Sequence, residues 1–279
     1  MPDPASAFQP GDVSGPSEVI DHASCHRWRA ADWRGRPWQE TVAIETHVGT
    51  FTPEGTYRAM IGKLDHLVAT GITALELMPL ADFAGQRNWG YDGVLWYAPD
   101  SAYGRPDDLK ALIDEAHLRG LMVFLDVVYN HFGPEGNYLG RYAPGFFTEA
   151  QTPWGSAIDY RVPQVRAFAI ENALYWLREY RFDGLRLDAV HAIPELGEIS
   201  MLHDLSVAVG KLAARNRPPH PSGAGERRQH RQRAGRRAEI RAARQIPRAV
   251  ERRLSPRLAC AADRRDAGLL RRLHDVANR

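Results

Sequence analysis

The sequence has few cysteines, no long apolar run and almost no net charge. Its 279 residues include only Cys25 and Cys260, so neither a disulfide framework nor a thiolate zinc site is indicated. No apolar run approaches the ~20 residues that a membrane span requires. The start of the chain also lacks the basic and then apolar order of a secretory signal. These absences predict a cytoplasmic protein with no membrane partner.

Aromatic residues and lysine are both absent from residues 215–279. This segment holds 19 Arg and six acidic residues, a net charge of +13, whereas residues 1–214 carry 17 basic and 28 acidic residues, a net charge of −11. A segment of this length without aromatic side chains has little from which to build a core. We therefore expect a folded part up to about residue 214, followed by a disordered or irregular Arg-rich tail.

Hydrophobic periodicity before residue 215 predicts alternating strands and helices. Apolar strands are expected at 42–45, 72–78, 121–128 and 184–190. Helical stretches are expected at 57–71, 109–120, 165–180 and onward to about residue 214. Repeated strand and helix units favour an α/β fold with a parallel sheet, either doubly wound or a (β/α) barrel. Residues 1–40 form an irregular lead-in, and residues 132–160 form a loop-like insertion.

Three acidic residues, Glu45, Asp126 and Asp188, lie at or near the C-terminal ends of predicted strands. In both parallel architectures this edge of the sheet carries the chemistry. Arg186 stands two residues before Asp188, so both side chains share one face of the strand. Their pairing would keep Asp188 ionised, as a nucleophile requires. A purely structural ion pair explains the same pattern equally well.

Other polar and aromatic residues near the strand ends are individually ambiguous. In DVVYNH, Asp126 could bind a sugar hydroxyl or orient Arg186, and His131 could donate to a substrate oxygen; both could instead simply cap the end of the strand. Trp89 and Tyr91 in NWGYD could stack on a sugar ring or pack on the scaffold. His191, which follows Asp188, is equally ambiguous.

Taken together, these segments resemble a known family. DVVYNH followed by GLRLDAVH resembles the first two signature segments of the α-amylase superfamily of glycoside hydrolases. ETHVGTFTPEGTY, NWGYDG and NHFGPEGNYL are similar, more narrowly, to the malto-oligosyltrehalose trehalohydrolases. The resemblance covers roughly residues 1–214. It implies the first four β/α units of a (β/α)8 TIM barrel, over residues 41–214, with residues 132–160 inserted after the third strand.

The resemblance also implies roles for individual residues. Asp188 would be the nucleophile and Arg186 its electrostatic partner. The substrate-binding residues would be Asp126, His131, Trp89, Tyr91 and His191. The implied reaction is retaining hydrolysis of the α-1,4 bond beside a terminal trehalose unit, on maltooligosyl trehalose or a related α-glucan. It requires no metal or organic cofactor. Asn130 matches a position at which some amylases bind calcium, but nothing else indicates such a site.

The second catalytic carboxyl group implied by the resemblance is missing. An acid/base glutamate should end a fifth strand shortly after residue 215, but the nearest candidate, Glu226, follows no apolar run. With GC-rich codons, reading residues 217–273 one nucleotide later produces an apolar strand that ends in glutamate and restores aromatic residues. We hypothesise a one-base insertion near codons 215–217, and we expect the chain as translated to be inactive.

Two other functions remain open at this point. Another α-glucan enzyme, such as a branching enzyme or an amylase, shares the same two signature segments. The basic tail could instead bind nucleic acid, or it could be a solvated charge run without a partner. The bias to Arg, Ala, Pro and Gly is typical of GC-rich DNA read out of frame, so no specific nucleic-acid partner is expected. The oligomeric state is left open.

Overall fold

The computed structural model describes residues 2–193, 200–215 and 258–261 of the chain. The strands are β1 Ala43–Thr46, β2 Ala74–Leu77, β3 Ala81–Asp82, β4 Leu95–Pro99, β5 Met122–Val128, β6 Phe147–Thr152, β7 Gly155–Ile158, β8 Gly184–Asp188 and β9 Leu258–Ala261. The helices are α1 Val48–Phe51, α2 Tyr57–Ile61, α3 Leu64–Ala69, α4 Pro106–Leu118, α5 Leu139–Tyr142, α6 Pro163–Glu179 and α7 Met201–Arg215. Among these residues no helix is both long enough and apolar enough to cross a membrane.

The main sheet contains four parallel strands in the order β1-β2-β5-β8. These are the four strands that the sequence predicts, so the parallel α/β fold is confirmed. Consecutive parallel strands lie side by side because each returns through a helical connection. The central strand β5 is buried along nearly its whole length, as expected for a strand covered on both faces.

Alternation along the strands separates two faces of this sheet. One face turns Leu125 and Leu185 toward the helices, inside the main hydrophobic core. The other face carries a smaller apolar cluster of Ala74, Met122 and Phe124, against which Trp33 and Trp38 of the lead-in pack. The predicted site residues Asp126, Arg186 and Asp188 lie on this second face, nearer the C-terminal edge of the sheet.

The predicted helix over 57–71 is divided in two. Helix α2 ends at Ile61 and α3 begins at Leu64, so the chain breaks at Gly62 and Lys63. Glycine is a poor helix former, which accounts for the break at this position. The helices expected at 109–120 and 165–180 are confirmed as α4 and α6.

Two hairpins occur where the sequence predicts no strands. Strands β3 and β4 pair antiparallel around the NWGYDG segment, and β6 and β7 form a ribbon within residues 132–160. Both ribbons have only two strands, and β6 is largely exposed. The sequence signal was weak because such short strands carry little hydrophobic alternation.

The Arg-rich tail is not irregular throughout. Its segment Leu258–Ala261 forms β9, which pairs antiparallel with β8. The physical reason is that this tetrapeptide is apolar, and the edge of β8 offers unpaired backbone groups. The rest of the expected irregular tail, including Glu226 and the region of the hypothesised frame slip, lies outside the described residues.

The irregular lead-in is fastened to the sheet and helices by carboxylates. Asp114 on α4 is completely buried and accepts hydrogen bonds from the backbone N–H groups of Arg29 and Ala30. Its other oxygen lies 3.2 Å from Nε2 of His26. Asp183, just before β8, accepts a 2.7 Å bond from Nε1 of Trp33. These contacts connect residues far apart in sequence.

Two aspartates of the β3–β4 ribbon are buried: Asp82 ends β3 and Asp100 directly follows β4, and each is 1% exposed. Asp100 accepts backbone bonds from Phe83 and Ala102, whereas Oδ2 of Asp82 has no hydrogen-bond partner among the described residues. Burial, together with the charge of Asp100, raises the pKa of Asp82 to about 8. Burial likewise raises the pKa of Asp100 to about 7. The folded chain therefore holds protons here that the unfolded chain releases.

This proton retention predicts a stability that falls as pH rises. Because the folded pKa of Asp82 exceeds the unfolded value, its contribution is lost between about pH 4 and 8. The melting temperature of Asp82→Asn relative to native protein should therefore rise by at least ~2–4 °C between pH 5 and pH 8. Asp32→Asn, at a fully exposed side chain, is the control. A constant difference between pH 5 and 8 in calorimetric melts would contradict the prediction.

Candidate active site

The centre of the candidate site is Arg186, whose guanidinium joins two carboxylates across neighbouring strands. The register pairs Asp126 with Arg186 and Val128 with Asp188. Nη1 of Arg186 donates to Oδ2 of Asp126 at 2.5 Å and lies 2.7 Å from Oδ1 of Asp188. The Arg186–Asp188 ion pair expected from the sequence is therefore present, and Arg186 contacts Asp126 as well.

The two carboxylates of this cluster differ in exposure. The Asp126 side chain is completely buried, whereas that of Asp188 is 25% exposed. Burial raises the pKa of Asp126 to about 7, although the bond from Arg186 opposes the rise. For Arg186, burial opposes the charged form, but the bond and charge of Asp126 and the charge of Asp188 outweigh it and raise its pKa. Asp188 is therefore the carboxylate of the pair that a ligand in solvent can reach.

The loop between β3 and β4 brings a phenol to this cluster. Tyr91 donates from its hydroxyl to Oδ2 of Asp126 at 3.0 Å, and burial raises its pKa. Gly90, directly before it, has a φ of +94°, and a Cβ there would lie 2.2 Å from the carbonyl oxygen of Pro79. Only glycine fits this close approach, so the glycine of NWGYDG is needed to aim Tyr91.

His131 lies beside the same loop, three residues beyond the end of β5. Its Nε2 is 2.8 Å from the carbonyl oxygen of Tyr91, so Nε2 carries the hydrogen and donates. Trp154, from the turn of the β6–β7 hairpin, stacks on the imidazole at 4.2 Å and 15°. Burial lowers the pKa of His131, which favours the neutral ring.

Trp89 and His191 are more peripheral. Trp89 is 66% exposed and meets the ring of His47 edge-on at 5.5 Å. His191 is exposed on the short turn after β8. Between β8 and this turn, Ala189 has a left-handed backbone, with φ 45° and ψ 42°, a strained conformation for a residue with a Cβ. The structure thus groups Asp126, Arg186, Asp188, Tyr91 and His131, with the other two predicted residues outside that group.

Sequence reasoning missed three residues near the site. Trp154 covers His131, and His47 and Tyr103 both contact the carbonyl oxygen of Asn88 in the Tyr91 loop. The sequence did contain an indication for His47: it directly follows the first strand, and site residues are expected at the C-terminal ends of the strands. For Trp154 the sequence indicated only that it lies in a loop-like insertion, and no local pattern predicts its contact with His131.

The described residues contain no group of three or more His, Cys, Asp or Glu side chains arranged to hold a metal ion. Asn130 is buried, and its Oδ1 has no hydrogen-bond partner there. What the cluster offers is one accessible carboxylate, a cation that stabilises its charge, and hydrogen-bonding groups at the C-terminal edge of a parallel sheet. This arrangement suits a nucleophile or an electrostatic stabiliser.

Known proteins resemble most of the described chain. The family profile described as the catalytic domain of alpha amylases matches residues 31–145. The chain is 52% identical over 212 residues to malto-oligosyltrehalose trehalohydrolase of Deinococcus radiodurans, covering 76% of this chain and 35% of that relative. It is 38% identical over 183 residues to the 1,4-alpha-glucan branching enzyme GlgB of Mycobacterium bovis, covering 60% of this chain and 25% of that relative.

A solved structure gives the same result. A Salmonella typhimurium protein classed as an alpha amylase superposes with a TM-score of 0.74 at 53% identity, covering 76% of this chain and 36% of that one. The chain spans only 35 to 38% of the length of the seven trehalohydrolases it matches. The resemblance seen in the motifs is confirmed: this part of the chain is similar to proteins of the α-amylase superfamily of glycoside hydrolases.

Removing the bridging cation should expose how strongly the cluster depends on it. Arg186→Met leaves a buried carboxylate without its cation, which costs about 3–5 kcal/mol of unfolding free energy. The loss should be largest at pH 8 and smaller at pH 5, where Asp126, with its raised pKa, keeps its proton. Urea unfolding at both pH values measures it.

The matched control is Arg178→Met, at a half-exposed arginine 3.6 Å from Glu171, where the loss should stay below about 1 kcal/mol. In the double variant, Asp126→Asn should recover part of the Arg186→Met loss. Equal losses at pH 5 and pH 8 would show that the charge of Asp126 does not set the stability of the cluster.

Proposed function

We propose that this member of the α-amylase superfamily is the N-terminal half of a catalytic barrel whose complete form releases trehalose from maltooligosyl trehalose. The observation that carries the proposal is the bridge from Arg186 to Asp126 and Asp188. It occurs in a chain 52% identical to a malto-oligosyltrehalose trehalohydrolase over 212 residues. Cleavage of an α-1,4 bond, as a step in trehalose synthesis, is the activity this combination favours. A cytoplasmic location fits the scarcity of cysteine.

The proposal includes a (β/α)8 barrel. Four parallel strands that are adjacent in chain order support it, because a doubly wound sheet reverses its strand order near the middle. The C-terminal edge of the strands, where a barrel enzyme holds its active site, is where the Arg186 cluster lies.

In this proposal Asp188 is the nucleophile that attacks the anomeric carbon. Its carboxylate is reachable, and Nη1 of Arg186 lies 2.7 Å from its Oδ1. Asp126, Tyr91 and His131 hold the sugar at the cleavage point. Trp89 and His191, which lie at the rim, contact the sugar units on either side.

The reaction needs a second carboxyl group, about 5–5.5 Å from the nucleophile, as general acid and then base. Asp126 does not suit this role, because it is buried and already bound to Arg186 and Tyr91. Glu226 lies outside the described residues and follows a sequence with no strand pattern. We therefore propose that the chain as translated is inactive, since loss of general acid assistance alone removes about 10²–10⁴ in rate.

A one-base insertion near codons 215–217 remains our explanation for the missing glutamate. It fits the observation that the matched trehalohydrolases align with 74–78% of the chain. The gene sequence across these codons is the direct check: we expect one base more than in close relatives. An intact frame without an extra base would disprove the explanation.

The activity assay follows from the same proposal. The purified chain should release no trehalose from maltooligosyl trehalose, whereas the product of a gene with one base removed near codon 216 should release it. Asp188→Asn in the corrected product should abolish release, because the nucleophile is lost. Trehalose is measured by chromatography of the digest.

Two results would contradict the proposal. Trehalose release by the uncorrected chain, abolished by Asp188→Asn, would show that the missing glutamate is not required. Transfer of α-glucan branches by the corrected product, without trehalose release, would favour a branching enzyme, to which the chain is 38% identical over 183 residues. A salt-dependent filter-binding titration separates both from nucleic-acid binding through the basic tail.

A further inference from the structure

His47, which directly follows β1, is bonded to the loop that carries Trp89 and Tyr91. Nε2 of His47 lies 2.7 Å from the carbonyl oxygen of Asn88, the residue just before Trp89. Because a carbonyl oxygen only accepts, Nε2 carries the hydrogen and donates it. The end of the first strand is thus fastened to the backbone of the loop by one side chain.

A second side chain completes this contact. The hydroxyl of Tyr103 lies 3.2 Å from Nε2 of His47 and 3.4 Å from the carbonyl oxygen of Asn88. Asn88 in turn organises the loop with its own side chain. Its Oδ1 accepts from the N–H of Gly90 at 2.7 Å, and its Nδ2 donates to Asp92 at 2.8 Å.

The two aromatic residues of the loop depend on this arrangement. The Trp89 ring meets the His47 ring edge-on at 5.5 Å and 69°, with two thirds of its surface exposed. Two residues further on, Tyr91 reaches Asp126. A displacement of the Asn88 carbonyl would therefore move both aromatic side chains relative to the Arg186 cluster.

A glycine two residues after His47 allows its ring and that of Tyr103 to reach the Asn88 carbonyl. A Cβ at Gly49 would lie 2.9 Å from Cε1 of Tyr103 and 3.0 Å from Cε1 of His47. The Tyr103 ring cannot yield easily, because it is buried and packs against Tyr57 and Phe83. The glycine in HVG thus leaves room for the two rings to meet the loop.

We infer that His47 is a positioning residue that holds Trp89 and Tyr91 in place to receive an α-glucan chain. The identity of the ligand rests on the proposed function, but the bond between His47 and the Asn88 carbonyl is present without any ligand. A glutamine at this position offers an amide N–H at about the place of Nε2, whereas alanine offers no donor. The two variants therefore separate the hydrogen bond from simple occupancy of space.

The first measurement is tryptic cleavage of the free protein at Arg87, which is exposed in the same loop. His47→Ala should speed this cleavage about fivefold, as expected for loss of one hydrogen bond, and His47→Gln should stay within about twofold of native. Gly49→Ala should behave like His47→Ala although it keeps the imidazole. Tyr103→Phe, which preserves the packing, should give an intermediate rate. Cleavage at Arg87 that is equal in native protein and His47→Ala would overturn the inference.

The second measurement is a fluorescence titration with maltoheptaose, in which Trp89→Phe identifies the signal of the exposed indole. Native protein and His47→Gln should bind similarly, and His47→Ala should bind about fivefold more weakly. Equal binding by His47→Ala and native protein would also overturn the inference. Faster Arg87 cleavage in His47→Ala, with no binding of maltoheptaose by any form, would support the positioning role and count against the proposed function.

Discussion

One guanidinium group, that of Arg186, holds together the candidate site at the C-terminal edge of the parallel sheet. Arg186 can bridge both aspartates because of its position in the sheet. The parallel register places it opposite Asp126, and Asp188 follows it by two residues on the same strand. A buried carboxylate without a cation would cost folding free energy. The pairing of β5 with β8 and the presence of Asp126 and Arg186 in the site therefore depend on each other. The remaining parts of the site are arranged around this contact, with Tyr91 reaching Asp126 from a loop and His131 bonded to the backbone of that loop.

The cluster also shows what kind of chemistry the described residues can and cannot perform. The accessible carboxylate of Asp188 lies beside a cation and suits attack on a sugar, whereas the carboxylate of Asp126 is buried and already bonded to Arg186 and Tyr91. Retaining hydrolysis needs two carboxyl groups, one as nucleophile and one as general acid and then base. The Arg186 bridge supplies a candidate for only one of these two carboxyl groups, that of Asp188.

The sequence was a good guide to the parallel strands and a poor one to the ribbons. Strand β5 was predictable because its residues are almost all apolar, and the Arg186–Asp188 pair because their spacing is a strand period. The β3–β4 and β6–β7 ribbons were not, since their strands are short or largely exposed. For a similar reason, the stacking of Trp154 on His131 and the bond from His47 to Asn88 depend on tertiary folding that no local pattern encodes. The prediction of an irregular tail was wrong at β9, where an apolar tetrapeptide meets an open strand edge.

The fastening of the lead-in has a consequence for the order of folding. The partners of its backbone and side chains, Asp114 and Asp183, follow it by 84 to 150 residues. During synthesis the lead-in is made before these partners, and it cannot form the contacts until α4 and the start of β8 exist. Contacts of such long separation form late, because closing the intervening loop must precede any gain. The lead-in should thus be among the last segments to dock, and it closes over Met122 and Phe124 only after the sheet has assembled.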